Sequence, residues 1–168
     1  MRNNLLNRIA RSLIRIWQTP MTTSNDYTPM EGSSKPMDDS IREILKKAKT
    51  IAVVGLSNNP ERYSYIVAKY LQNHGYHIVP VNPNVTEVLG ETAYPNLSSI
   101  PFPVDLVDVF RNTDAAGDVV AQAIDMKIPV IWLQLGINIP NVQEKAANTD
   151  TICIDRCCIK VEHHRLMI

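Results

Sequence analysis

The chain has 168 residues, 45% of them apolar and 20% charged, and its 17 basic and 17 acidic side chains cancel to a formal charge of zero. That length carries one domain with a sizeable core, and the balanced charge excludes a generally basic surface for duplex nucleic acid. No apolar run approaches the roughly 20 residues of a membrane span, and three cysteines, two of them adjacent, do not make a secreted disulfide framework, which points to a reducing, cytoplasmic setting.

Residues 1–20 carry Arg2, Arg8, Arg11 and Arg15, and no acidic residue occurs before Asp26. On a helical wheel Leu5, Leu6, Ile9, Leu13, Ile16 and Trp17 share one face, opposite Arg8, Arg11 and Arg15. This amphipathic, Arg-rich segment fits an extension of no consequence, a reading frame that truly starts at Met21 or Met37, a transit peptide to the mitochondrial matrix, or a membrane-surface or partner helix. Residues 21–37 hold little that could be buried and read as a flexible linker. The folded unit, 38–168, opens on Asp38-Asp39-Ser40, with Glu43 at capping-box spacing from Ser40 and an apolar stripe of Ile41, Ile44, Leu45 and Ala48.

Thr50-Ile51-Ala52-Val53-Val54 is a short β-branched run that reads as a strand buried on both faces. It passes at once into Gly55-Leu56-Ser57-Asn58-Asn59-Pro60, the residue types of a tight loop, and then into helical spacing over Ser64–Asn73. In such a unit the loop amides and the helix N-terminus converge on a spot that favours anions. Gly75 suits the position just past that helix, and His77–Val81 is the second strand. Pro80 removes a ladder donor, so this strand belongs at an edge or is interrupted there.

Residues 84–103, with Gly90, Pro95, Pro101 and Pro103, read as a long irregular connection. The third strand spans Val104–Phe110, and Asn112-Thr113-Asp114 cap a helix whose inner face is Val119, Val120, Ala123 and Ile124. Pro129–Leu133 is the fourth strand, followed by a short helix near 141–147, a fifth strand at Thr151–Ile154 and a helical tail at Cys158–Leu166. Strands alternating with helices predict an α/β fold: a single, doubly wound, parallel five-stranded sheet with helices on both faces.

The loop after the first strand has one Gly and not Gly-x-Gly-x-x-Gly, and the second strand ends in Asn82-Pro83 without a carboxylate for a ribose. The usual NAD fingerprint is therefore missing although the anion geometry is kept. Six pieces occur in order: Val53-Val54-Gly55-Leu56-Ser57 with Arg62 and Ser64; Pro80-Val81-Asn82-Pro83; Val88-Leu89-Gly90 with Tyr94-Pro95; Val107-Asp108-Val109-Phe110-Arg111; Trp132-Leu133-Gln134-Leu135-Gly136; and Asp155-Arg156-Cys157 with Glu162-His163. Together, over about residues 40–166, they resemble the small stand-alone CoA-binding proteins, similar to the Rossmann-like CoA-binding domain of the succinyl-CoA synthetase α-subunit and of ADP-forming acyl-CoA synthetases.

The resemblance implies coenzyme A or an acyl-CoA as ligand, held by Gly55, Leu56, Ser57, Arg62, Ser64, Asn82, Pro83, Phe110, Arg111, Gln134 and Gly136. Gly55 would let the backbone approach phosphate, with Leu56 and Ser57 offering N–H or O–H donors and Arg62 a forked contact. Asn82 and Pro83 would wall the adenosine, while Phe110 packs on the ligand and Arg111 neutralises charge. Asn84 departs from the pattern, standing where a basic residue would hold the 3′-phosphate.

Each of these residues also has a plainer reading: Ser57 and Asn58 as helix caps, Asn82-Pro83 as a turn, Phe110 as core, Arg111 as a solvated helix entry. Cys153 reads as core and Cys157 as a small buried residue or a partner for the pantetheine thiol; metal-ligand pairs with zinc spacing are missing. The leading expectation is a binding module without chemistry of its own, acting alone, as a homodimer or with a partner protein. The alternatives are an NAD(P)-dependent oxidoreductase, a subunit of an acyl-CoA synthetase, and a regulatory scaffold switched by the ligand.

Overall fold

The computed structural model describes residues 35–147 and 149–168. The readings of residues 1–20 and of the linker up to 34 lie outside the described residues. In chain order the elements are α1 (Lys35–Lys47), β1 (Thr50–Val54), α2 (Tyr63–Asn73), β2 (His77–Val81), β3 (Glu87–Val88), β4 (Glu91–Thr92), β5 (Leu106–Val109), α3 (Thr113–Asp125), β6 (Val130–Leu133), α4 (Val142–Ala147), β7 (Ile152–Ile154) and α5 (Ile159–Met167).

The main sheet has five strands in the order β2-β1-β5-β6-β7, and every neighbouring pair is parallel. Each strand is nearly continuous hydrophobic sequence because both of its sides are covered. Alternation then sorts the side chains. Ile51, Val53, Leu106, Val130, Trp132, Ile152 and Ile154 join one core with residues of α1, α2 and α5. Ala52, Val54, Val107, Val109, Ile131, Leu133 and Cys153 join a second core with residues of α3 and α4. The molecule is thus the expected α/β, doubly wound, Rossmann-like sheet with helices on both faces. Between β1 and β5 the strand order reverses direction, and open α/β sheets bind ligands outside the strand carboxyl ends at such a point.

Local signals account for most element ends. Asn112 caps α3 through its side chain, which accepts from Ala115 N at 3.0 Å. Gly75 follows α2 at φ +92°, a conformation that costs glycine nothing. Pro80 lies in β2, the edge strand of the sheet, where its missing donor breaks no ladder bond.

Two expectations need correction. Helix α1 is already helical at Lys35, the first described residue, and does not begin after caps at Asp38–Ser40, so Ser40 is a buried interior residue and the capping box with Glu43 is not formed. The reason is tertiary: Met37 is buried in the first core, one helical turn ahead of Ile41, and Asp38 is forked by Arg165 of α5 at 2.7 and 2.8 Å. The connection over 84–103 is not wholly irregular. β3 and β4 form a small antiparallel hairpin turned by Leu89 and Gly90, both at positive φ, and Asn96 caps a 3-10 turn over Leu97–Ser99.

Candidate functional site

The loop that leaves β1 passes hard against the end of β5. A Cβ on Gly55, which sits at φ +86°, would stand 2.3 Å from the Phe110 carbonyl oxygen and 3.0 Å from Arg111 Cδ. Only glycine fits, both for its backbone angle and for its space. The approach is locked by hydrogen bonds from Gly55 N to Val81 O at 2.9 Å and from Phe110 N to Val54 O at 2.8 Å. Asn82, at the tip of β2, donates through Nδ2 to Leu56 O at 2.9 Å and accepts from Asn84 N at 3.0 Å. Gly55, Asn82 and Arg111 are therefore drawn to one place at the carboxyl edge, across the three strands β2, β1 and β5.

The loop is ordered by its own polar side chains. Ser64, buried in the first turn of α2, accepts from Ser57 N at 3.1 Å; Ser57 Oγ accepts from Asn59 N at 3.1 Å; and Asn59 Oδ1 accepts from Glu61 N at 2.9 Å. The amide of Ser57 is thus occupied inside the loop, while its hydroxyl, acting there as an acceptor, keeps a proton to donate outward. Neither Ser57 nor Asn58 caps α2: the N-cap is Arg62, whose side chain makes no capping bond. The first turn of this 11-residue helix therefore presents the positive end of its dipole without a capping bond from the Arg62 side chain. Arg62 and Pro83 are exposed, whereas Leu56 is fully buried and turned into the first core.

Phe110 closes β5 half-buried, with its ring edge-on to Tyr63 at 6.2 Å between centroids. Arg111 beside it is exposed. At the tip of β6, Gly136 turns at φ +83° in the open, but Gln134 is buried and its Nε2 donates to Asp108 Oδ1 at 2.8 Å. A ligand contact from Gln134 would come from its backbone, because the side chain faces inward. Asp108, in mid-β5, is fully buried, and burial pushes its carboxyl up to about 7 against a smaller opposite effect of the Gln134 hydrogen bond.

Sequence reasoning about this edge missed Tyr63, whose hydroxyl lies 3.0 Å from Cys158 Sγ, the residue that starts α5. Cys153 sits in the second core as expected. Cys157 is buried, and burial together with the nearby Glu162 and Asp155 pushes its thiol up, which disfavours the thiolate that a mixed disulfide would need. Among the described residues there is no cluster of three or more His, Cys, Asp or Glu placed to hold a metal ion. Nor, among them, is any helix long and apolar enough to cross a membrane. A shallow groove lined by His77, Val79, Glu91, Tyr94 and Phe102 runs along the outer side of β2 and includes none of the loop residues described above.

Comparison with known proteins bears on the whole of this edge. The family model described as "CoA binding domain" matches residues 49–164. An uncharacterized protein of Bacillus subtilis (strain 168), YneT, is 41% identical over 129 residues, covering 76% of this chain and 95% of its own. A solved structure of a hypothetical protein from Pyrococcus horikoshii superposes with a TM-score of 0.76 at 38% identity, over 86% of this chain and 100% of that one. A shorter stretch, 57 residues and 33% of this chain, is 44% identical to 12% of the α-subunit of an ADP-forming acetate–CoA ligase II from Pyrococcus furiosus.

Proposed function

This chain belongs to the CoA binding domain family, and we propose that it binds coenzyme A or an acyl-CoA at the carboxyl edge of β2, β1 and β5, without catalysis of its own. The observation that carries the reading is the fit of Gly55 against the Phe110 carbonyl, which leaves no room for a side chain and sets the loop against the exposed Arg111, with the exposed Arg62 at its other end. In this reading the pyrophosphate lies over the loop at the open first turn of α2. The Ser57 hydroxyl donates to it, and Arg62 and Arg111 supply charge-assisted contacts. Phe110 and Pro83 line the adenosine or the pantetheine arm.

A nicotinamide cofactor fits less well. Asn82 stands where a ribose-binding carboxylate would be, and its side-chain amide is committed to the Leu56 carbonyl. Calorimetric titration of the full chain with CoA, dephospho-CoA and NADPH tests the reading. Heat with CoA is expected, and Arg62→Ala and Arg111→Ala should each weaken binding about tenfold, the equivalent of roughly 1.4 kcal/mol for a lost charge-assisted contact. Heat with NADPH and none with CoA overturns it.

The match to part of an ADP-forming ligase subunit supports a second reading, in which the chain is the CoA-holding component of an acyl-CoA synthetase. Copurification of a nucleotide-binding subunit from the native cell, together with CoA-dependent ATP turnover by the complex, would select it over a stand-alone binder.

A further inference from the structure

Beneath the carboxyl edge the structure leaves two buried acceptors without a donor, Asp108 Oδ2 and Gln134 Oε1. They belong to the same two side chains that already share one hydrogen bond, Gln134 Nε2 to Asp108 Oδ1 at 2.8 Å. A carboxylate and a primary amide are both planar forks, and with the carboxylate ionised the pair holds one matched contact and two orphaned oxygens. Turning the amide over does not help, because an ionised carboxylate offers no donor. One added proton on the acid changes the count completely: the acid then donates to the amide oxygen while the amide donates to the acid oxygen.

We propose that Asp108 takes up a proton in the folded protein and donates it to Gln134 Oε1, closing an acid–amide ring that ties β5 to the tip of β6. This joint is proton-operated: loss of the proton opens half of the ring and leaves a buried charge. The proposal stands whatever ligand the edge takes.

Among the described residues, the neighbour that contacts the Asp108 carboxyl is the uncharged Gln134 amide. In register it is flanked by Val53 of β1 and Trp132 of β6, and it is fully buried. From the helices on this side, α1 contributes Met37, Ile41, Ile44 and Leu45 to the core. Of the ionisable groups of α2 and α5, Tyr63 is beside Cys158 Sγ, Tyr70 is beside His163 Nδ1 at 3.0 Å, and Glu162 receives Arg165 at 2.6 Å. Lys160 Nζ stands over the Tyr70 ring, Tyr65 packs half-buried against this core, and Lys69 and His164 are exposed. Cys157 is a buried thiol whose pKa burial pushes up. An isolated buried carboxylate is costly enough that such groups take up a proton instead, and the carboxyl of Asp108 is accordingly moved up to about 7.

The sign of the linkage follows. The folded chain holds this proton more tightly than the unfolded one, so the contribution is complete below the ordinary aspartate range and is lost as pH rises towards about 7. The test is a carboxyl carbon-13 NMR titration of the full chain labelled at aspartate, with Asp108→Asn identifying the Asp108 signal. That signal is expected to titrate near 7, apart from the exposed aspartates. An asparagine supplies the same donor and acceptor as the neutral acid. D108N should therefore match the wild-type urea midpoint at about pH 4, exceed it at pH 6, and lack the decline in midpoint that the wild type shows up to pH 7. Titration of Asp108 alongside the surface aspartates overturns the proposal, and so does a D108N chain that is unfolded or whose midpoint at pH 6 is no higher than that of the wild type.

Discussion

The two faces of the sheet are built from the same strands and hold their helices by different means. The core under α3 and α4 is aliphatic: among its buried members are Val54, Val107, Ile131, Leu133, Val120 and Ile139, with Cys153 the one heteroatom-bearing side chain among the described buried members and Tyr94 packed at its margin. The core under α1, α2 and α5 carries Trp132, Tyr76, Met37, Cys157 and Cys158, and its larger side chains reach specific acceptors. Trp132 Nε1 donates to Cys157 O at 2.9 Å, and the Tyr76 hydroxyl donates to Leu45 O, also at 2.9 Å, which satisfies one of the open carbonyls at the C-terminus of α1. The face under α3 and α4 is held by area and volume, which tolerate repacking; the face under α1, α2 and α5 adds directed contacts, which do not. The candidate site uses the α1, α2 and α5 face, since Phe110, Tyr63 and Cys158 meet there.

Neighbouring residues of β6 give the most direct way to break this contrast, because Leu133 points into the aliphatic core and Trp132 into the other. Leu133→Ala should cost about 3 kcal/mol in urea unfolding, and Leu133→Met under about 1.5, as a volume-governed site requires. Trp132→Phe should cost about 2 kcal/mol although it keeps an aromatic ring, because it leaves the Cys157 carbonyl without its donor. Equal tolerance of Leu133→Met and Trp132→Phe would erase the distinction.

A finer probe is Tyr76→Phe, which removes only the hydroxyl bonded to Leu45 O. About 1 kcal/mol should be lost, with the loss seen as earlier hydrogen exchange at the end of α1. The smallest effect concerns acid. Burial, helped by His74 and His164, lowers the affinity of His163 for a proton, so the unfolded chain takes one up first. Stability carried by His163 is full above about 6.5, its ordinary value, and falls as pH drops below that. His163→Gln should flatten this acid limb in a pH series of urea midpoints, whereas substitutions in the aliphatic core should leave its shape unchanged. Asp108 acts in the opposite sense, losing its contribution as pH rises, so both limbs belong to one face.

Much of the architecture was legible in the chain because it is written in short-range terms. β-branched runs bounded by Gly and Asn marked the strands, Asn112 and Gly75 marked helix ends, and the alternation of strand and helix implied a parallel sheet. Gly55 stood out at the end of the first run, and of the places Pro80 allowed, a strand end, a sheet edge or an interruption, β2 is at a sheet edge. The hairpin of β3 and β4 was not legible, since Leu89 takes a positive φ that its residue type does not announce. The start of α1 was misjudged because Asp38 and Ser40 look like caps until Met37 and Arg165 are seen to claim that turn.

Residue order and local chemistry therefore determined the elements, their sequence along the chain, and the place where a glycine-bearing loop meets a helix start. Only the tertiary structure decided that the Phe110 carbonyl closes on Gly55, that Gln134 turns inward to Asp108, and that Tyr63 meets Cys158. Those pairs lie 55, 26 and 95 positions apart and depend on strand order, register and burial, for which a single chain read along its length carries no local signal.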